Sequence, residues 1–325
     1  MIGENSITAV IPVHNRADLL ERLLTTAQAQ SLPFREMLVV DNASTDNAAA
    51  VGRAFGCRVL SMGRNAGFAS AVNLGWRSAN SKWVAILNSD VELDAHWAER
   101  LIAGAGSASF ASGTLLSAAD VTLIDGSYDL MSRGACAWRA GHGGPILNIN
   151  TPMNIAIVPA TACLYRRDVL ENLGGFDETF GSYLEDVDLG LRCIRAGFSG
   201  VYVPDAVARH HGSATYGRWN PVVVRLISRN QLLLVRRHYD RALFRACLWP
   251  IIAGQVLWGL VALRHGAFGP WFAGKWEALK GFSPAGAPCA ALREFLVASE
   301  AEIHARACTD SYWRWYFRLT AAAAL

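Results

Sequence analysis

Residues 7–90 alternate short apolar runs with amphipathic stretches, and this rhythm constrains the fold more than any other feature of the chain. The runs at Ile7–Val13 (ITAVIPV), 37–40 (MLVV), 57–60 (CRVL) and Trp83–Leu87 (WVAIL) are rich in β-branched residues. Polar or glycine-containing turns bound them, so they read as buried strands. Between them, 17–30, 46–55 and 68–79 have helical spacing. Leu19, Leu20, Leu23, Leu24 and Ala27 make one apolar stripe, and Ser44 or Thr45 is placed to cap the second helix. Strand–helix alternation of this kind implies parallel strands joined by right-handed crossovers, an α/β sheet flanked by helices. Ligands of such sheets lie outside the carboxyl ends of the strands. The polar residues that end each strand are therefore where chemistry is expected.

A chain of 325 residues that is 52% hydrophobic can bury a large core, as one large domain or two unequal ones. Its formal charge of +3 is too small to suggest a nucleic-acid partner. The distribution of charge is less even than the total. Arg218, Arg225, Arg229, Arg236, Arg237, Arg241 and Arg245 fall in one stretch with Asp240 as its single acid. A solvated helix face is the ordinary reading of such a run. The cysteines (57, 136, 163, 193, 247, 289 and 308) form no C-x-x-C pair and no regular spacing. Free thiols in a reducing compartment fit them better than a disulfide framework or a zinc site. The N-terminus carries no basic segment followed by an apolar one, so cytoplasmic exposure is the expectation.

The second predicted strand runs into Asp41-Asn42-Ala43-Ser44-Thr45-Asp46. An acid at the carboxyl edge of a parallel strand can accept the imide N–H of a uracil or thymine ring, which suits Asp41. Ser44 and Asp46 read more simply as helix caps. The fourth strand ends in Asn88-Ser89-Asp90. A nucleoside diphosphate needs a hard cation to offset its charge, and Mg²⁺ or Mn²⁺ takes one or two carboxylates plus phosphate oxygens and water. Asp90 suits that role, although a turn acid near Glu92 and Asp94 is the plainer reading. Between these stations lies Arg64-Asn65-Ala66-Gly67-Phe68, which opens a helix containing Asn73 and Gly75. Gly67 would let backbone approach a ligand, and the helix start favours an anion; Gly75 reads as a packing glycine. No G-x-G-x-x-G occurs here, since Ile11-Pro12-Val13-His14 follows the first strand.

After about residue 107 the rhythm loosens, and 113–144 resists assignment beyond some strands and an acceptor loop. A second ordered block runs over 155–211. It holds an apolar strand, a helix at 166–173, the Gly174-Gly175 turn and a helix over 184–196 with Leu184, Val187, Leu191 and Ile194 as its buried stripe. Asp188 and Arg192 are an ordinary i,i+4 pair. Glu185 and Asp186 begin the helix, where the dipole favours an ionised carboxylate. Two adjacent acids leading out of an aromatic loop suit a general base. In Arg209-His210-His211-Gly212-Ser213-Ala214-Thr215, either imidazole can complete a metal shell or serve structurally.

Taken in order, IPVHNR, VVDNASTD, RNAGFASAVNLGW, LNSD, GGFDETFGSYLEDVDLGLR and HHGSAT resemble a family 2 glycosyltransferase with a GT-A type nucleotide-sugar domain, over 7–217. The resemblance implies a mostly parallel Rossmann-like sheet. A nucleotide-sugar part would occupy about 1–106 and an acceptor part about 107–215, with a helical region over 216–325. It implies that Asp41 binds the nucleobase, with Pro12 and Val13 lining the base pocket and Asn15 beside them. Asn65, Gly67, Asn73, Asn88, Ser89 and Asp90 would complete the nucleotide-sugar site. Asp90 matches the metal-binding acid of the D-x-D motif, with Asn88 in place of its first acid. Asp186, with Glu185 beside it, matches the base, and His210 matches the metal-linked histidine, His211 being the alternative. The N-x-G-F pattern and the N-x-D triplet are similar to those of rhamnosyltransferases of bacterial surface glycans. That implies a dTDP- or UDP-linked donor, with dTDP-L-rhamnose favoured, a divalent Mg²⁺ or Mn²⁺, and a glycan or polyprenyl-diphosphate acceptor. Two rival classes are a nucleotidyltransferase, which would carry a glycine- and arginine-rich loop after the first strand, and a non-catalytic nucleotide-sugar scaffold.

From Tyr216 onward the sequence turns arginine-rich and then tryptophan-rich. The uncharged run 246–263 barely reaches the length that a bilayer core requires and contains Pro250, Gly254, Gln255 and Gly259. Beyond it Trp271, Phe272, Trp276 and Phe282 alternate with Lys275 and Lys280, as at a headgroup boundary. The expectation is peripheral attachment at the inner face of the cell membrane, with the arginines meeting anionic lipid or the diphosphate of the acceptor.

Overall fold

The computed structural model describes residues 3, 5–146, 149, 151–212, 219–307 and 309–321. Ser213, Thr215, the boundary at Tyr216, Arg218 and Cys308 lie outside the described residues. The first part follows the expected alternation: β1 (Ile7–Val13), α1 (Ala17–Gln28), β2 (Glu36–Asp41), α2 (Ala48–Ala54), β3 (Arg58–Ser61), α3 (Phe68–Ser78) and β4 (Trp83–Leu87). All four strands run parallel, in spatial order β3-β2-β1-β4. Strand order therefore reverses at β1, which makes the ends of β1, β2 and β4 the crevice of the sheet. Every residue of β1 and β4 is buried, as strands covered by helices on both faces must be. Gly75 of α3 packs as expected: a Cβ there would lie 2.2 Å from Val10 Cγ1.

Of the candidate caps of the second helix, Asp46 takes the N–H of its first residue, Ala48, whereas Ser44 turns elsewhere. Ser44 Oγ accepts instead from the Asn15 N–H (2.8 Å), and Asp46 accepts from the N–H groups of both Ala17 and Ala48 (2.9 and 3.0 Å). The Asn15–Ser44 and Ala17–Asp46 bonds tie the β1 and β2 loops together, a cross-loop role that a local capping pattern does not reveal.

The remainder of the sheet is mixed. β5 (Val91–Leu93), α4 (Trp97–Ala105), β6 (Phe110–Ser117), β7 (Ile124–Gly126), β8 (Asp129–Met131), β9 (Ala137–Arg139), β10 (Met153–Ile155) and β11 (Ala162–Arg166) follow in the chain. α5 (Arg167–Leu173), a 3₁₀ turn at Glu178–Phe180, α6 (Glu185–Ala196) and β12 (Gly200–His210) complete this part. β11 inserts antiparallel between β4 and β6, and β12 runs parallel to β6 while pairing antiparallel with β5 and β10. β8 and β9 form a separate hairpin.

Among the described residues six helices follow: α7 (Pro221–His238), α8 (Arg241–Ala246), α9 (Leu248–Arg264), α10 (Phe268–Leu279), α11 (Ala290–Arg306) and α12 (Ser311–Thr320). They share a core with the preceding part, for Leu234, Val235, Tyr239, Leu292 and Leu296 cluster with Phe180, Val187 and Leu191. This packing changes the reading of α6. It is not a one-striped surface helix, because Glu185 through Leu191 are all buried. Asp188 is fully buried, and its pairing with Arg192 (2.8 Å) is joined by His238 Nε2 of α7 (2.9 Å). Nor are the arginines simply a solvated face. Arg229 donates to the carbonyls of Thr179 and Phe180 (3.0 and 2.7 Å), Arg237 pairs with Asp177, and Arg225 pairs with Glu277.

Candidate functional site

The crevice is built first by the β1 and β2 ends. Val13 stands opposite Asp41 in the parallel register, with Pro12 opposite Val40. The Asp41 carboxylate is nearly buried and accepts from the Ser44 N–H (2.9 Å), which sets its orientation. Asn15 turns its amide oxygen to the Thr45 N–H (2.8 Å), so that oxygen braces the loop. Asn42 reaches across to the α3 entry, donating to Asn65 Oδ1 (3.1 Å) and accepting from the Ala66 N–H (2.9 Å).

Three expectations about α3 change. Two N–H groups at its start are taken by protein and not offered to an anion, since Ser182 Oγ accepts from Phe68 N–H (3.2 Å) and Gly181 O accepts from Ala69 N–H (3.0 Å). Gly67 has φ +87°, and a Cβ there would meet Gly181 O at 2.7 Å, so this glycine serves approach of protein backbone rather than of ligand. Asn73, expected among the nucleotide-sugar ligands, is buried with its amide saturated. It donates to Phe176 O and Glu178 Oε1 (2.8 and 2.9 Å) and accepts from Trp76 Nε1 and Phe176 N–H (both 2.9 Å). It clamps α3 to the loop that leads into α6.

At the β4 end, Asn88 N–H donates to Thr161 O (2.8 Å), while its side-chain Oδ1 is buried without a hydrogen-bond partner. Such orphaned acceptors are rare in folded proteins. The antiparallel register of β5 and β12 sets Val91 opposite His210, which brings Asp90 and His210 together from opposite parts of the chain. His210 Nε2 lies 3.3 Å from Asp90 Oδ1, and its Nδ1 lies 2.7 Å from Asp125 Oδ2. His211 turns elsewhere, its Nε2 2.8 Å from Glu92 Oε1. Burial alone would lower the His210 pKa, but hydrogen bonds to Asp125 and Asp90 outweigh it and raise the value to about 9.

Asp125 belongs to a group that periodicity did not reveal, set on β7, β8 and β9 within the stretch left unassigned. Arg139 pairs with Asp129 (3.2 Å) and approaches Asp125 (4.0 Å). Burial raises Asp129 to about 6 against the pull of Arg139, and the charge of Asp186 adds to the rise. Burial works to lower the Arg139 pKa, but Asp129, Asp186 and Asp125 together raise it. One line of charge thus runs from Asp90 through His210, Asp125 and Arg139 toward Asp186. The signal in sequence was only a pair of acids in IDGSYD, with no spacing that implies a shared site.

Glu185 and Asp186 open α6 behind two left-handed residues, Tyr183 (φ 71°) and Leu184 (φ 67°). Non-glycine residues hold that conformation at a cost of about 1–3 kcal/mol each when strongly disfavoured. Asn230 of α7 fastens the loop, donating to Phe180 O, Ser182 O and Tyr183 O (3.0, 3.0 and 2.7 Å). Asp186 accepts from the Ala160 N–H (3.2 Å), one residue from the Thr161 carbonyl that holds Asn88. The expectation that the helix start keeps both acids ionised fails for Glu185. Burial, reinforced by the Asp186 charge, raises its carboxyl pKa well above the usual range, and its Oε2 has no partner. The two neighbouring acids therefore have unlike environments.

Among the described residues no cluster of three or more His, Cys, Asp or Glu side chains is arranged to hold a metal. Asp90 and His210 supply two donors at a separation suited to one cation. That is the protein share expected where phosphate oxygens and water supply the rest.

Residues 8–174 match the model of glycosyl transferase family 2. A pre-mycofactocin glycosyltransferase of Mycobacterium tuberculosis is 32% identical over 223 residues, covering 67% of this chain and 45% of that protein. The chain thus spans about half the length of that curated relative. An N-acetylglucosaminyl-diphospho-decaprenol L-rhamnosyltransferase of the same organism is 30% identical over 243 residues, covering 65% of this chain and 79% of that one. Among solved structures, a mannosyltransferase from Pyrobaculum calidifontis in complex with GDP-Man and Mn²⁺ superposes with a TM-score of 0.53 at 17% identity. It covers 97% of this chain and 86% of that one. GalNAc-T7 with UDP, GalNAc and Mn²⁺ gives 0.64 at 12% identity, covering 92% and 58%. At these identities the structural likeness concerns the fold.

Proposed function

Since this chain belongs to glycosyl transferase family 2, we propose that it moves a sugar from a nucleoside diphosphate to an acceptor hydroxyl with inversion at the anomeric carbon. The observation that carries this reading is the approach of His210 Nε2 to Asp90 Oδ1 (3.3 Å) just past the end of β4, with Asp41 at the carboxyl end of β2 in the same parallel sheet. Asp41 binds the base beside Pro12 and Val13. Asn88 and Ser89 meet the ribose and sugar. Asp90 and His210 would hold Mg²⁺ or Mn²⁺, which when bound offsets charge on the diphosphate.

Asp186 acts as the general base, oriented by the Ala160 N–H. The acceptor oxygen bonds to the anomeric carbon as its proton passes to Asp186. The bond from that carbon to the diphosphate oxygen breaks, and the nucleoside diphosphate leaves with the electron pair. Beside it, burial and the Asp186 charge push the Glu185 carboxyl toward its neutral form. The preferred donor is dTDP-L-rhamnose, with a UDP-linked sugar as the other candidate. Similarity to a protein named for rhamnosyl transfer to a diphospho-decaprenol acceptor supports both that donor and a polyprenyl-diphosphate or glycan acceptor. With such an acceptor the reaction would run at a membrane, and the cytoplasmic face is the side we propose.

A panel of nucleotide sugars with Mg²⁺ or Mn²⁺ and lipid-linked or free glycan acceptors, scored for nucleotide release and sugar transfer, tests the reading. Transfer from no donor would sink it. In the same assay Asp186→Asn, which keeps shape but takes no proton, lowers kcat on the order of a hundredfold or more with donor KM little changed. A parental rate for Asp186→Asn together with an inactive Glu185→Gln reverses the roles of the two acids.

A further inference from the structure

We infer that the face formed by α9 and α12 is a docking surface for a lipid bilayer bearing anionic headgroups. On α9, Leu248, Trp249, Ile252, Val256, Leu260 and Leu263 expose 43–56% of their surface. Steps of three and four residues from Ile252 to Leu263 align them along one side of the helix. Trp315 and Leu319 of α12 are similarly exposed, at 51% and 42%. The two helices present a continuous surface. Trp249 Nε1 donates to Leu319 O (2.8 Å), and Leu257, Leu260 and Arg264 line a groove with Tyr312 and Trp315. A second stripe follows on α10, where Phe268, Phe272, Trp276 and Leu279 are exposed at steps of four, four and three. So much large apolar surface is uncommon on a monomeric protein and marks an interaction site.

Charge selects the occupant. Residues 241–276 contain no Asp or Glu, while Arg241, Arg245 and Arg264 are exposed there. Arg314 and Arg318 of α12 are exposed as well, and Arg318 lies over the Trp315 ring (5.2 Å). The neighbouring acids are engaged, Glu277 by Arg225 and Asp310 as the cap of α12. An apolar stripe rimmed by cations matches the boundary between acyl chains and anionic headgroups, where indole rings also favour the interface. A second copy of the chain would set this rim against its own cations with no facing acids to offset them. Among the described residues no helix is long and apolar enough to cross a membrane. The attachment is therefore in the interfacial plane.

Sedimentation of the full chain with phosphatidylcholine vesicles, with and without phosphatidylglycerol, tests this surface. The parent chain pellets with the phosphatidylglycerol vesicles and is released as salt rises. The Leu260→Ser/Trp315→Ser double variant partitions at least about tenfold less, given the apolar area removed, with unchanged thermal melting. A charge-reversed Arg314→Glu/Arg318→Glu variant, altered only at exposed positions, shows the same loss should the serine variant melt early. The proposal is overturned by a parent chain that stays in the supernatant, or by variants that pellet as the parent does. It is overturned equally by light scattering that shows a dimer which the serine variant dissociates, since the face then belongs to a second copy.

Discussion

His210 shows how a single residue acquires a role from both of its ring nitrogens. Nε2 faces Asp90 and Nδ1 faces Asp125, so the Asp125 carboxylate sets the ring orientation, and a cation at Nε2 would take the place of the proton that Asp90 favours there. Asp125 is a positioning residue here. It binds nothing itself in this arrangement, and its pKa is lowered because the hydrogen bond and charge of His210 outweigh its burial. Asp125→Asn keeps an oxygen near His210 but removes the charge. The expected outcome is Mn²⁺ binding weaker by about tenfold to a hundredfold, read by electron paramagnetic resonance in the presence of nucleoside diphosphate. Unaltered Mn²⁺ affinity would show that the carboxylate only packs against the ring.

Among the elements, the junction of α7, α9 and α10 departs furthest from its sequence pattern. Lys275 was expected beside Trp271 and Phe282 at a headgroup boundary, yet it is buried, and those two rings are half-buried. Its ammonium donates to Ser228 O (2.7 Å), Gln231 Oε1 (2.9 Å) and Gln255 Oε1. Gln255, flagged in sequence as a polar interruption of an apolar run, is thus a partner of Lys275 within the helical packing. Burial lowers the lysine pKa to about 7 from an ordinary value of 10.5. Between those values the unfolded chain holds a proton that the folded chain lacks, so stability rises with pH across the window. The penalty is fully present below about 7 and gone above the unfolded value. Lys275→Met removes this dependence. Denaturant unfolding at a series of pH values should show the parent gaining on the variant by up to about 1.4 kcal/mol per pH unit within the window. Parallel curves would mean that Lys275 stays charged in the fold.

At the scale of the whole molecule, the C-terminal helices brace the segments that carry the candidate site. α7 fastens the loop before Glu185 through Asn230 and Arg229, and His238 covers the buried Asp188. α11 holds the β8–β9 hairpin, where Ser299 Oγ accepts from the Met131 N–H (2.8 Å) and Glu300 pairs with Arg133. A chain ending at residue 212 loses Leu234, Val235, Tyr239, Leu243, Leu292 and Leu296 from a shared core. Six such side chains represent on the order of 10 kcal/mol of burial, comparable with the whole stability of a domain. The truncated chain should lack a cooperative thermal transition and aggregate on size exclusion. A monomeric truncated chain that melts within a few degrees of the parent would show that the two parts fold independently.

Local periodicity alone determined the parallel half of the sheet and the acids at its edge. Ile7–Val13 and Trp83–Leu87 coincide with strands, Gly75 packs on Val10, Asp41 closes β2, and Asp90 lies three residues past the end of β4. Those features depend on neighbours within a few residues, and the repeat of apolar positions records them directly. The tertiary structure decided what each surface meets. It joined His210 to Asp125 across 85 residues, turned His211 to Glu92, and closed the start of α3 with Gly181 and Ser182. It also buried Asp188 and Lys275, which their own helices could equally have shown to water. A helix or strand pattern states which face is apolar. The register of β5 on β12, and the seating of α7 on α6, come from contacts between distant segments that leave no repeat in the sequence.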